Sequence, residues 1–197
     1  MNIFIDLGAY TGDTLAIALK TYNNFDKFYA FDPVPIHIKL LKERYTDHRI
    51  VAIEKAASTK NGTANIFNHV KYRETNSYTN GTSLHKSKTN VDESDSFTVE
   101  TINFSQFILD NFDINDNIVL KMDIEGEEYN VLEQMVNDKS IQYINKLFIE
   151  WHVNSIPEIH PSTHGKIVRL VRQQGLNVTG SRGDVGIFEG TIRETFE

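Results

Sequence analysis

Apolar residues along this chain fall into two alternating patterns: short unbroken runs, and stretches in which they recur every three or four positions. Residues 2–6, NIFID, are such a run stopped by a glycine, and 14–22, TLAIALKTY, follow with Leu15, Ala18, Leu19 and Tyr22 at helical spacing. This predicts strand, turn and helix, and the pattern then repeats. KFYAF at 27–31 runs into Asp32 and PVP, and residues 36–45 place Ile36, Leu40, Leu41 and Tyr45 on one helical stripe. RIVAIEKAAS at 49–58 predicts a third strand with no helix behind it, and GTANIF at 62–67 another extended piece.

Residues 70–96 are polar and without period, with Asn80-Gly81 as a turn signal. Connectors longer than about 12 to 15 residues in compact domains are functional lids or mobile segments, so this one is expected to be either a substrate-facing insertion or a disordered surface loop. The regular pattern then resumes. FTVETINF at 97–104 alternates as a strand, SQFILDNF at 105–112 reads as a short helix capped near Ser105, and NIVLKMDI at 117–124 as a core strand. EEYNVLEQMV continues helically, INKLFIEWH at 144–152 is a further strand, and THGKIVRLVRQQG is a helix closed by Gly175. LNVTG and VGIFEG, joined by SRGD, read as an antiparallel hairpin at one edge. Such alternation predicts an α/β fold: a parallel sheet covered on both faces, with ligands at the carboxyl ends of the strands where their order reverses.

Composition narrows the picture. The length of 197 residues suits a single domain spanning 1–197, and 40% hydrophobic with 24% charged residues is ordinary for a folded protein. The absence of cysteine excludes a disulfide framework and thiolate metal sites and accords with a reducing compartment. A net charge of −7 disfavours nucleic acid as a partner. No basic leader opens the chain and no apolar run approaches the ~20 residues of a membrane span, so a cytoplasmic protein is expected. On that expectation the sequons at Asn61, Asn80 and Asn177 are chance matches.

Chemistry gathers first at DLGAYTGDT, where Gly8 and Gly12 lie between the first strand and the first helix. A dinucleotide fingerprint needs glycines two and five residues after Gly8, but Tyr10 and Asp13 stand there. Asp13, close to a helix N-terminus, would also repel a pyrophosphate. Asp32 ends the second strand roughly 20 residues beyond Gly12, where an acid accepts hydrogen bonds from ribose hydroxyls. An adenosine-bearing ligand without phosphates satisfies both observations, and S-adenosylmethionine is one. The bland alternative is that the glycines only turn the chain and that Asp6 and Asp32 cap neighbouring backbone.

IDLGAYTG, FDPVP, AAS, FTVETINF, LKMDIEGEEYNVLE and FIEWH occur in the order and spacing found in FkbM-type S-adenosylmethionine-dependent methyltransferases, and from about residue 3 to 152 the chain resembles that family. KMDIEGEEYNVL is the specific element. The resemblance implies a class I, Rossmann-like fold, with a seven-stranded, mostly parallel sheet, an antiparallel final strand and helices on both faces. It also implies O-methylation, commonly of sugar hydroxyls on glycans or natural products. Residue by residue, Asp6, Gly8, Ala9 and Gly12 match the cofactor loop, Asp32 the ribose acid, and Ala56, Ala57 and Ser58 the segment near the adenine. Tyr10 stands in that loop where the family usually has a small polar residue such as Asn. Asp123, Glu125 and Gly126 match the signature block.

Alternation along a strand sends residues i and i+2 to one face, so Asp123 is expected to converge with Glu125, and Glu150 with His152. Methylating an alcohol requires removal of its proton. Asp123 is the leading candidate for that base, with His152 and Glu150 behind it; alternatively Asp123, Glu150 and His152 hold Mg²⁺ or another divalent cation that acidifies the hydroxyl. Glu127 and Glu128 read as solvated first-turn acids, favoured by the helix dipole. Trp151 either stacks on a sugar or lies in the core. His85, Lys86 and Lys88 are available to an anionic acceptor, and Lys166, Arg169 and Arg172 form a solvated face. The expected function is O-methylation of a sugar or glycan hydroxyl. The alternatives are a protein or nucleic-acid acceptor, or a nucleoside-binding module without catalysis.

Overall fold

In the computed structural model residues 1–70, 81–176 and 178–182 are described. Strands β1 (Asn2–Leu7), β2 (Lys27–Phe31), β3 (Ile50–Ile53), β7 (Asn117–Met122), β8 (Ile144–Trp151) and β9 (Val178–Arg182) form one sheet in the order β3-β2-β1-β7-β8-β9. Every pairing in it is parallel. The remaining strands, β4 (Ala56–Ser58), β5 (Gly62–His69) and β6 (Val91–Asn103), make a separate sheet ordered β4-β6-β5. Helices α1 (Asp13–Thr21) and α2 (Pro35–Arg44) belong to the first half, and α3 (Phe104–Asn111), α4 (Glu128–Asn137) and α5 (Pro161–Gln173) to the second.

The sheet carries a core on each face. Ile3, Ile5 and Leu7 join Ile118, Leu120 and Met122 in one cluster with residues of α3, α4 and α5, while Phe4, Phe28 and Val119 join Leu15, Ala18 and Leu41 of α1 and α2 in the other. Burial on both faces is why β1 and β7 read as unbroken apolar runs. Asp6 and Lys121 interrupt them, and the register sets these two side by side.

Several expectations are revised. RIVAIEKAAS is two strands in different sheets, β3 and β4, because the chain turns at Lys55, whose N–H donates to Ile53 O at 3.1 Å. On α2 the buried stripe is His37, Ile38 and Leu41 instead of Ile36, Leu40 and Tyr45, because His37 turns inward to bond Asp32. Helix α3 is capped by Asn103, whose side chain accepts from Gln106 N, and not near Ser105. Of the expected antiparallel edge hairpin, Val178–Arg182 is β9, which pairs parallel to β8; VGIFEG, and with it any seventh, antiparallel strand, lies outside the described residues. Trp151 is core, packed on Tyr129 and His164 at 5.3 and 4.9 Å between ring centroids, so it does not offer a face to a sugar. Among the described residues no helix is long and apolar enough to cross a membrane.

Candidate active site

Strand order reverses between β1 and β7, and a cavity of about 200 Å³ opens there. At about 10–15 Å³ per water that is room for roughly 13 to 20 waters, enough for a substantial ligand. Of the residues expected to bind the cofactor, Gly8, Ala9, Tyr10, Asp13, Asp32 and Ala57 line it; Asp6 and Gly12 do not. Gly12 initiates α1 in a left-handed conformation (φ 91°), against the Tyr45 ring. Gly8 is also left-handed (φ 80°), and a Cβ on it would lie 1.8 Å from Asp123 O. Its glycine is thus required by the close approach of the β1 and β7 loops, as well as bordering the cavity.

At the β2 end, Asp32 Oδ1 accepts from Val34 N and His37 Nδ1 at 2.9 and 2.8 Å, and Oδ2 from Tyr10 N at 2.9 Å. These bonds fix the carboxylate and leave Oδ2 with further acceptor capacity. Phe31, Ala56, Ala57, Ile66 and Leu84 give this half an apolar wall. Asp13, at the mouth, pairs with Arg44 at 2.5 Å.

Asp6 lies beneath the cavity, fully buried, 3.0 Å from Lys121 Nζ. Burial pushes its pKa up more than the lysine pulls it down. Lys121 also donates to Gly8 O at 2.9 Å and stands 3.5 Å from Asp123 Oδ2. Burial works against its charge, but Asp6 and Asp123 outweigh it, and its pKa is raised. Nothing in the alternating pattern marks Lys121 except that it is a lysine inside an apolar run.

The other end of the cavity is built on the turn from β7 to α4. Asp123 N bonds Leu7 O at 3.0 Å, Glu125 is left-handed (φ 58°), and Gly126 (φ 115°) would carry a Cβ 1.8 Å from Ile156 Cδ1. Asp123 and Glu125 therefore converge through a turn beyond the strand, not through strand alternation. Asp123, Glu125 and His152 bring one ligand atom each within 4.8 Å of one another. Among the described residues this trio, with Glu125 in place of the expected Glu150, is the group able to hold a metal. Glu150 and His152 do not border the cavity itself.

His152 Nε2 lies 3.1 Å from Glu125 Oε2 and 3.8 Å from Asp123 Oδ1, and Nδ1 lies 2.9 Å from Glu128 Oε1. Burial opposes the imidazolium, but Glu128 and Glu125 prevail and hold its pKa well above the usual value. As an imidazolium, His152 donates from both ring nitrogens. Burial raises Asp123, and the neighbouring Glu125 charge adds to that. Glu150 is pushed up to about 7 by burial and by the Asp123 charge. Glu125 is held low, at about 2: burial would raise it, but His152 and Lys88 dominate.

Glu127 and Glu128 are not solvated. Glu128 is fully buried and Glu127 only 7% exposed, because the tertiary fold lays β8 and residues 81–90 over the start of α4. Glu127 accepts from Ser58 Oγ at 2.9 Å and meets His85 Nε2 at 3.2 Å. Lys88 is buried on Glu125 and Gly81 O, so neither it nor His85 is free to meet an anionic acceptor; Lys86 remains exposed. Residues 81–90 thus form a strap pinned to the signature turn. Ser83 Oγ adds a bond to Glu125 O at 2.6 Å, and Thr89 N ties the far end to Ser155 O.

A family model described as "Methyltransferase FkbM domain" matches residues 6–177. The fold is similar to a crystal structure of a methyltransferase FkbM from Methylobacillus flagellatus KT, with a TM-score of 0.51 and 18% identity. That likeness covers 86% of this chain and 38% of the other, so the chain spans well under half the length of that relative. No curated protein matches the chain.

Proposed function

This chain belongs to the FkbM methyltransferase domain family, and from that premise we propose that it methylates a hydroxyl of a sugar or glycan with S-adenosylmethionine as donor. The observation that carries the reading is one cavity with a hydrogen-bonded acid, Asp32, at one end and a carboxylate of raised pKa, Asp123, at the other. The donor set suits such a cofactor. Asp32 Oδ2 has capacity for a ribose hydroxyl, and Ala56 and Ala57 offer an apolar wall to a flat base. When bound, the cofactor supplies an electrophilic methyl group on its sulfonium.

Asp123 then serves as the base. Its side chain is 27% exposed, it stands beside Lys121, and its raised pKa improves the match to a hydroxyl proton near neutral pH. The hydroxyl proton would go to the Asp123 carboxylate, while the methyl carbon would leave sulfur for the hydroxyl oxygen and S-adenosylhomocysteine would depart. Lys121 holds Gly8 and Asp123 in a fixed relation, which keeps the two ends of the cavity aligned. The two carboxylates and imidazole of Asp123, Glu125 and His152 also suit a divalent cation, which would lower the hydroxyl pKa. A cytoplasmic setting is proposed from the cysteine-free composition.

Calorimetry with S-adenosylhomocysteine and labelled-methyl transfer to nucleotide sugars and short glycans test this reading. Asp123→Ala should cost about 10²–10⁴-fold in turnover while leaving S-adenosylhomocysteine affinity unchanged. Retained turnover in that variant would reject Asp123 as the base. Binding without transfer to any acceptor by the wild type would favour a nucleoside-binding module. Loss of turnover with a chelator, restored by Mg²⁺, would assign the cation.

A further inference from the structure

Glu128 has the burial of a core residue and the bonding of a site residue. Its side chain is fully buried in the first turn of α4. One oxygen, Oε1, accepts from Ile124 N at 3.0 Å and also meets His152 Nδ1 at 2.9 Å. The first contact belongs to the turn that presents Asp123 and Glu125; the second belongs to the chain just beyond β8. A single carboxylate therefore joins the two strand ends that supply the polar groups of the site.

The geometry has a directional consequence. An imidazole bonded through Nδ1 can turn neither about its ring axis nor into the tautomer that would leave Nδ1 bare, so Nε2 is committed to the other side. That side holds Glu125 Oε2 at 3.1 Å and Asp123 Oδ1 at 3.8 Å. Carboxylates that orient a histidine in this way recur behind metal-bound and catalytic imidazoles.

We propose that Glu128 is a positioning residue: it holds His152 with Nε2 facing Asp123 and Glu125, and fixes through Ile124 the turn that carries those acids. The same bond serves whether Nε2 donates to a carboxylate or coordinates a cation. The proposal rests on the reading of this cavity as a methyl-transfer site. It assigns Glu128 no contact with substrate.

The test compares Glu128→Leu, close in volume but without an acceptor, with Glu128→Gln, which keeps a carbonyl oxygen at the same reach. Three readouts are taken on the full chain: the ¹⁵N signals of the His152 ring, S-adenosylhomocysteine affinity by calorimetry, and kcat and KM. In Glu128→Leu the Nδ1–H signature should be lost and kcat should fall at least roughly tenfold, with S-adenosylhomocysteine affinity unchanged. Glu128→Gln should recover both towards the wild type. If Glu128→Leu does not fold, Glu128→Asp, one methylene short of Nδ1, takes its place with the same expectation. Wild-type ring signals in the folded Leu or Asp variant would overturn the proposal. So would a kcat loss matched by lost cofactor affinity. Failure of the methyl-transfer reading would be visible separately, as absence of turnover in the wild type while the ring signals still depend on residue 128.

Discussion

Lys121 places its ammonium between Asp6 and Asp123 in a stretch of sheet whose other side chains are almost all apolar. Its partner Asp6 is fully buried, so removing the cation strands a charge in the core. Lys121→Met should therefore destabilise by about 3–5 kcal/mol in urea unfolding, and the double variant Asp6→Asn/Lys121→Met should lose clearly less. The acids nearer the cavity govern pH dependence. Burial raises Asp123, so the proposed base is protonated in acid, and turnover should rise with pH above the ordinary aspartate range. Glu150→Gln removes a like charge and should move that rise to lower pH, read from kcat/KM profiles. His152 acts on stability with the opposite sign. Its folded pKa is raised, so its contribution is full below the ordinary histidine value and is lost as pH climbs through the raised one.

At the scale of elements, the strap formed by residues 81–90 is held by buried charge. Lys88 on Glu125 and His85 on Glu127 pin it to the turn between β7 and α4. Lys88→Met should release it, accelerating amide hydrogen exchange across residues 81–90 by roughly tenfold or more while β1 and β7 keep their protection. Part of this was legible in the sequence. Residues 70–96 stood out as polar and aperiodic, and the described part of that stretch does border the cavity through Gly81, Thr82 and Leu84. Its anchoring was not legible, because a lysine and a histidine in a polar stretch look solvated until the fold brings Glu125 and Glu127 against them. Glu128 was misread for the same reason. An acid in a first helical turn has a sufficient local explanation in the helix dipole, and only the fold brings His152 to it.

For the molecule as a whole, the alternation of apolar runs with helical stretches announced the parallel sheet, because its strands are buried on both faces and so are apolar along most of their length. The second sheet was hidden. Pairing with β6 spans 45 residues for β4 and 22 to 39 for β5, and a run such as RIVAIEKAAS carries no mark of the place where it passes from one sheet to the other. Overall charge was legible and has a consequence for partners: at −7, the chain should show no binding to RNA or duplex DNA at physiological salt in fluorescence anisotropy.

The contact between Gly8 and the carbonyl of Asp123 bears on how such a protein can be altered. With no room for even one carbon between them, the β1 and β7 loops are interlocked, and the half of the cavity that carries Asp32 shares its backbone packing with the half that carries Asp123. Substitutions at either loop will disturb both halves together. Residues 81–90 meet the cavity from outside that joint, held by side chains and by backbone bonds to Phe67, Val70 and Ser155. Changes of acceptor preference, whether selected or engineered, have their most permissive route there, leaving the strand ends untouched.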